Sequence, residues 1–92
     1  MNWACRFSAN AEQDLRSLPK AIQKRVARVI TQMASDPFLG DVKALHGAEW
    51  KGVFRRRMGD YRLLFTADLG RKTVVIQQIS LRTGGTYRRG SQ

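Results

Sequence analysis

The chain has 92 residues, enough for one domain and too few for two. Hydrophobic residues make up 42% and charged residues 26%, the balance of an ordinary globular domain, but the net charge of +10 is unusual. No apolar run approaches the roughly 20 residues of a membrane span, and one cysteine excludes an internal disulfide. We therefore expect residues 1–92 to form a single cytoplasmic domain.

The positive charge is concentrated in the second half of the chain. Residues 1–49 hold seven basic and five acidic side chains, a net of +2, whereas residues 50–92 hold ten basic and two acidic, a net of +8. Positive charge concentrated in this way is typical of a protein that binds a polyanion, and nucleic acid is the first candidate. The alternative is a solvated surface, but such surfaces usually intersperse the two signs.

One strand and two helices are predicted in the first half. Residues 2–7 alternate between two faces with the period of a strand. Ser8 stands where a helix N-cap is preferred, and this helix should end near Leu18 because Pro19 disfavours a helical residue before it. Pro19 fits the first turn of a second helix, whose apolar stripe has helical spacing. The stripe comprises Ile22, Val26, Val29, Ile30 and Met33.

The second half predicts a loop and then three consecutive strands. Residues 36–49 contain Pro and Gly at turn-forming spacing and should form the loop. The strands are expected at residues 50–57, 61–67 and 73–81, and the Gly-rich basic residues 83–92 should form a flexible tail. The order β-α-α-β-β-β predicts an α+β fold, with two N-terminal helices packed on one face of an antiparallel sheet.

Alternation along the strands assigns each side chain to one of the two sheet faces. The face that the helices cover should carry Phe54, Tyr61, Leu63, Phe65, Val75, Ile79 and Leu81. The opposite face, called the open face below, should carry the basic side chains Lys51, Arg55, Arg57, Arg62 and Arg82. Arg56 points to the apolar side, so it either extends along the sheet edge to reach solvent or marks a bulge. Gln77 also departs from the pattern.

The open face has the composition of a phosphate-binding surface. Several guanidinium groups that converge on one face repel one another unless an anion lies among them. Their planar, forked donors match the oxygens of a phosphate group. The open face is therefore predicted to bind the phosphates of a nucleic acid, and the alternative is a solvated basic surface with no catalytic role.

These residues resemble a known family. The run from Val53 to Phe65 is similar to the strand-turn-strand signature of RelE-like toxins, in the RelE/ParE superfamily of type II toxin–antitoxin systems. The end of the last strand, residues 79–82, followed by Tyr87, also resembles that family. Shorter pieces fit as well, at residues 14–15, 18–19, 36–37 and 44–47. The resemblance spans nearly the whole chain.

The resemblance implies a microbial RNase-like fold and a ribosome-dependent endoribonuclease that cleaves mRNA and blocks translation. It also implies a cognate antitoxin protein as partner, besides the ribosome and mRNA. By position, the implied catalytic residues are Arg55, Arg62, Arg82 and Tyr87. The expected RNA-binding residues are Lys51, Arg57, Arg88 and Arg89. Some relatives have a lysine at the position of Val53, and Lys51 is a candidate substitute as general base.

Two other functions share this fold, because fold alone does not decide function. One is a ParE-like toxin that inhibits DNA gyrase without cutting RNA, and the other is an inactive nucleic-acid-binding module. One cysteine and one histidine, His46, are too few for a zinc site, and no carboxylate cluster suggests magnesium. We therefore expect no metal and no cofactor.

Overall fold

The computed structural model describes residues 2–81. Its elements follow the order strand, two helices, four strands, with one short 3₁₀ turn before the third strand. The strands are β1 (Ala4–Phe7), β2 (Val42–Ala44), β3 (Val53–Met58), β4 (Tyr61–Asp68) and β5 (Thr73–Leu81). The helices are α1 (Ala9–Ser17) and α2 (Lys20–Ser35), and the 3₁₀ turn is Ala48–Trp50.

The strands form one mixed sheet in the order β1-β5-β4-β3-β2. The predicted α+β arrangement is confirmed, with both helices packed against the same apolar face. The expectation of a wholly antiparallel sheet is wrong at one edge, where β1 pairs with β5 in parallel. Both helices and three strands separate β1 from β5 in the chain, and so long a connection allows a parallel pair, which a tight turn does not.

The limits of α1 and the buried face of α2 follow from the local sequence. The side chain of Ser8 caps α1, because its Oγ accepts from the backbone N of Ala11 at 3.1 Å. Leu18 ends α1 in an extended conformation before Pro19. The predicted stripe of α2 faces the sheet, with Val26, Val29 and Met33 buried and Ile22 and Ile30 packed beside them. The two predicted helices are therefore confirmed, and they form a helical hairpin joined at Leu18 and Pro19.

The core lies between this helical hairpin and the sheet. Phe65 and Leu63 on β4 are fully buried at its centre. Phe54 on β3 stacks on Phe65 with ring centroids 5.6 Å apart, and Phe38 meets Phe54 edge-on at 5.2 Å. This aromatic cluster fixes the register of β3 against β4, because a one-residue slip would turn these rings to the other face.

Two expected strand limits are corrected. The third strand of the chain begins at Val53 rather than at residue 50, because residues 48–50 form a 3₁₀ turn and Gly52 has a φ of +78°. Within the predicted loop 36–49, residues 42–44 form β2, which pairs with β3. So short a strand carries too few residues for its alternation to be recognised.

A β-bulge in β5 corrects the face assignment of two residues. The ladder between β4 and β5 shifts register at Leu64/Phe65, so that Gln77 is the extra residue. As a result Ile76 is fully buried in the core, whereas Val75 lies on the open face opposite Thr66. Unbroken alternation would put Val75 under the helices and Ile76 on the open face with Gln78, so the two faces are exchanged, and Gln77 departs from the pattern for this reason. Leu81, also expected under the helices, is 49% exposed.

Helix α1 covers the edge of β5 beyond the end of β1. The Oγ of Ser8 donates to the carbonyl of Gln77 at 3.2 Å, and the backbone N of Ile79 donates to Oδ2 of Asp14 at 3.0 Å. These bonds satisfy edge groups that no strand pairs. They also attach the second half of β5 to α1.

Truncating Phe65 tests the packing account. Phe65→Ala should lower the free energy of unfolding by about 3–5 kcal/mol, because the ring is fully buried and its loss leaves a cavity. Leu69→Ala, at a side chain that is 69% exposed, is the control and should change stability by less than about 0.5 kcal/mol. Urea unfolding of the two variants gives the comparison, and equal losses would contradict the core described here.

Candidate functional site

The strand register brings three of the predicted site arginines together on the open face. Arg57 on β3 pairs directly opposite Arg62 on β4. Arg55 lies two residues before Arg57 on the same face, opposite Leu64. Alternation along the strands does not say whether Arg55 or Arg57 stands beside Arg62, and the register selects Arg57. Like charges directly opposite each other destabilise a sheet, so an anion placed there would relieve the repulsion.

The open face is not bare, because a second, smaller apolar cluster covers its centre. Trp50, at the end of the 3₁₀ turn, packs on Val53 and Leu64, with Leu45 beside them. Leu64 and Val53 are only 1% and 4% exposed. Leu64 stands opposite Arg55, whose side chain is only 15% exposed, so one flank of that side chain is shielded from water. Removing water from this flank strengthens the attraction of the site for an anion.

Asp41 joins two of the arginines. Its Oδ1 lies 3.3 Å from Nη1 of Arg55, and its Oδ2 lies 3.6 Å from Nη1 of Arg57. Local desolvation acts to raise the pKa of Asp41, but the hydrogen bonds and charges of the two arginines outweigh it and hold the pKa below its usual value. The carboxylate is therefore ionised at neutral pH and occupies part of the surface where a phosphate would bind.

Sequence reasoning missed Asp41 because it lies in the predicted loop. The backbone reaches the arginines through β2, whose first residue, Val42, pairs with Arg56. The N of Arg57 donates to the carbonyl of Asp41 at 3.0 Å, which extends this pairing by one residue. One feature of the sequence could have indicated Asp41. Acidic residues are scarce in this strongly basic chain, so each carboxylate is a candidate for an ion pair with an arginine.

The remaining predicted site residues are placed as follows. Lys51 is exposed and follows the 3₁₀ turn, before β3 begins, so alternation along the strand does not assign it to the open face. Arg82, Tyr87, Arg88 and Arg89 lie outside the described residues, as does the proposed tail 83–92. Arg82 directly follows the last residue of β5, in which Ser80 pairs opposite Arg62.

Arg56, the basic residue that departed from the strand pattern, has a structural role. It lies on the helix-covered side of β3 and donates from Nη2 to Oε1 of Gln32 at 2.8 Å. Its Nη1 donates to the carbonyl of Leu39 at 3.1 Å. Arg56 therefore joins α2 and the loop that follows it to the sheet.

Other reactive groups are poorly placed for chemistry. His46 is exposed in the segment between β2 and the 3₁₀ turn. Burial raises the pKa of the Cys5 thiol, which makes it a weaker nucleophile near neutral pH. Among residues 2–81, no group of three or more His, Cys, Asp or Glu side chains comes together. In the same part of the chain, neither helix has the length and hydropathy needed to cross a membrane.

Neutralising Asp41 should strengthen the binding of RNA. Asp41→Asn frees Arg55 and Arg57 from their carboxylate, so the dissociation constant for a single-stranded RNA should fall and its salt dependence should steepen. Asp68→Asn is the charge-matched control, because Asp68 lies on the same strand as Arg62 but six residues, about 20 Å, away. Fluorescence anisotropy over a salt series measures both variants, and equal effects would contradict a specific role for Asp41.

The lowered pKa of Asp41 fixes the expected pH dependence. A carboxyl with a lowered pKa keeps its ion pairs above that pKa and loses them as the pH falls through it. Asp41 therefore stays ionised from about pH 8 to pH 5, and its ion pairs should persist over that range. Accordingly, the ratio of the wild-type and Asp41→Asn dissociation constants should stay constant over this range. A ratio that approached one near pH 6 would contradict the lowered pKa.

Solved structures similar to this chain include several toxins. The toxin–antitoxin complex RelBE2 of Mycobacterium tuberculosis matches with 33% identity and a TM-score of 0.78, over 89% of this chain and 100% of that one. The RelE–RelB complex of the archaeon Pyrococcus horikoshii matches with 25% identity and a TM-score of 0.78, over 92% and 100%. The isolated RelE toxin of Escherichia coli shares the fold, with 14% identity, a TM-score of 0.74 and coverage of 91% and 88%.

A family model gives the decisive match. No curated protein sequence matches the chain significantly. The model of the ParE toxin of the type II toxin–antitoxin system parDE matches residues 5–82, which span every strand and helix described above apart from the first residue of β1. The chain therefore belongs to the ParE toxin family, within the RelE/ParE superfamily of type II toxins.

Proposed function

We propose that this toxin is a ribosome-dependent endoribonuclease that cleaves mRNA and so blocks translation. The observation that carries the proposal is the pairing of Arg57 opposite Arg62, with Arg55 on the same face. Within residues 2–81, Arg55, Arg57 and Arg62 share this face, and the carboxylate of Asp41 bridges the first two. A phosphate group undergoing substitution gains negative charge, which is the charge that such a surface stabilises.

The proposed reaction uses a nucleophile within the RNA. The 2′-hydroxyl attacks the adjacent phosphorus, the bond to the 5′-oxygen breaks, and that oxygen leaves with a proton. The protein must assist removal of the first proton, stabilise the pentavalent phosphate and protonate the leaving oxygen. Arginines suit the second task, because a guanidinium stays charged and offers fixed donors to the equatorial oxygens.

We assign the catalytic set to Arg55, Arg62, Arg82 and Tyr87. Arg57 joins them through its position opposite Arg62, and it binds RNA together with Lys51, Arg88 and Arg89. Tyr87 either stacks on a base or assists proton transfer. The set requires neither a metal nor a cofactor.

The proposed partners are a cognate antitoxin, the ribosome and mRNA. Complexes of RelE with RelB have been solved for the Pyrococcus horikoshii and Mycobacterium tuberculosis relatives. In this chain, a net charge of +10 favours an acidic or amphipathic antitoxin segment as the neutralising partner.

The family match supports a second candidate function, inhibition of DNA gyrase. The model that matches residues 5–82 is that of the ParE toxin, and ParE-like toxins are the gyrase-inhibiting alternative drawn from the sequence. Expressing the toxin alone, while translation, transcript cleavage and DNA supercoiling are followed together, separates the two. Early transcript cleavage with unchanged supercoiling supports the endoribonuclease, whereas altered supercoiling with intact transcripts contradicts it.

Single arginine substitutions in the proposed catalytic set should abolish growth inhibition. We expect Arg62→Ala and Arg82→Ala each to remove toxicity, because each loses a donor to the transition state, while the proteins still fold and bind the antitoxin. Arg71→Ala, which removes the same charge from the exposed turn between β4 and β5, is the control and should remain toxic. Growth curves and co-purification with the antitoxin give the readouts. Full toxicity of Arg62→Ala would place the site elsewhere.

A further inference from the structure

A second group of arginines shares only Arg57 with the proposed site on the open face. A cleft of about 280 Å³ between α2 and the end of β3 is lined by four of them. They are Arg25 and Arg28 from α2 and Arg56 and Arg57 from β3. Among the described residues, no Asp or Glu lines this cleft, which is called the arginine cleft below. Four positive charges around so small a volume favour an anion inside it.

The two α2 arginines are available to bind such an anion. Arg56 donates to Gln32 and to the carbonyl of Leu39, and Arg57 lies 3.6 Å from Asp41. In contrast, Arg25 and Arg28 are exposed, and within residues 2–81 neither guanidinium makes a hydrogen bond or an ion pair. Their donors are therefore free for a ligand.

The turn between β3 and β4 lets one of these guanidiniums approach closely. Gly59 has a φ of +60°, and a Cβ at this position would lie 2.8 Å from Nη1 of Arg25. The absence of a side chain thus leaves room for Arg25 over the backbone of the turn. Arg25 therefore lies at the same end of β3 as Arg57 and Met58.

Arg57 connects the arginine cleft to the open face. It stands opposite Arg62 on the open face and also lines the cleft. Strand β2 begins opposite Arg56, and only the bond from the N of Arg57 to the carbonyl of Asp41 continues that pairing. Arg57 therefore lies where the pairing of β3 with β2 ends, one residue before the end of β3. Cationic groups therefore continue from Arg62 through Arg57 and around the sheet margin to α2. A polymer with regularly spaced phosphates fits such a path better than an isolated anion does.

A protein partner fits the cleft less well. Peptide segments that dock in grooves bury apolar anchors. The exposed large hydrophobic side chains of the described chain are Phe38, Leu39, Leu69 and Leu81. None of them lines the cleft. The chemistry of the cleft is that of a phosphate site rather than of a helix-binding groove.

We propose that the arginine cleft binds a backbone phosphate of RNA other than the one that is cut, through Arg25 and Arg28. The proposal rests on the proposed function, since it adds an anchoring site for the same RNA-bound state. An anchor of this kind positions the RNA but makes no contact with the reacting phosphate. Its loss should therefore weaken binding while leaving the rate at saturation unchanged.

The test compares two double variants of the same helix. Arg25→Gln/Arg28→Gln removes the anchor, and Lys20→Gln/Lys24→Gln removes two exposed positive charges of α2 that do not line the cleft. Glutamine is a good helix former, so both variants should keep the wild-type melting temperature within a few degrees. The probes are ribosomes programmed with mRNA carrying 2′-deoxy nucleotides, which cannot be cut, and the same mRNA segment free in solution.

The expected result is a change in salt dependence that only the arginine variant shows. The slope of log Kd against log salt should fall by about 1 for each phosphate that is no longer bound, hence by about 1 to 2 in Arg25→Gln/Arg28→Gln. The lysine control should stay close to wild type. A change with both probes identifies an mRNA phosphate, and a change only on the ribosome identifies one that the ribosome presents. Either outcome supports the proposal.

Two results would overturn the proposal. One is an equal slope of log Kd against log salt for both double variants with both probes, which would show that only the net charge of α2 matters. The other is a loss of antitoxin binding by the arginine variant with unchanged RNA binding, which would make the cleft a protein-binding site. Because the probes cannot be cut, a wild type that binds but never cleaves would disprove the proposed function and leave this inference testable.

Discussion

The repulsion between Arg57 and Arg62, held directly opposite each other on adjacent strands, is the constraint on which the site depends. Placing like charges in this way costs on the order of 0.2–1 kcal/mol. Burial of Phe65, on the other face of β4 from Arg62, stabilises the fold by more than this repulsion costs, since truncating such a ring costs about 3–5 kcal/mol. The core therefore fixes the register of β3 against β4, and this register places Arg57 opposite Arg62 despite their repulsion. Asp41 offsets part of the repulsion in the absence of a ligand.

The two faces of the sheet thus have separate roles, and both roles depend on the same alternation of side chains along the strands. One face carries the core against α1 and α2, and its aromatic rings fix the pairing of β3 with β4. The other face gathers guanidinium groups around a small apolar cluster under Trp50. Because the side chains alternate, any slip in register would bury the arginines and expose the core together. Stability of the fold and alignment of the proposed site are therefore maintained by the same contacts.

Much of this arrangement could be predicted from the sequence, because local signals determine it. The cap at Ser8, the stripe of α2 and the hairpin of β3 with β4 depend on neighbouring residues and on their period. The bulge at Gln77 could not be located, since the register depends on how β5 pairs with another strand. The parallel pairing of β1 and the role of Asp41 were missed for the same reason. Both depend on contacts between residues far apart in the chain.

The central claim is that the converging arginines stabilise a phosphate in its transition state. Single-turnover cleavage of mRNA on programmed ribosomes, with toxin in saturating excess, tests it most directly. If the claim holds, wild type cuts the message and Arg62→Ala cuts it about 10²–10³-fold more slowly, while the toxin concentration needed for saturation changes far less. Cleavage by Arg62→Ala at the wild-type rate, or no cleavage by the wild type, would contradict the claim.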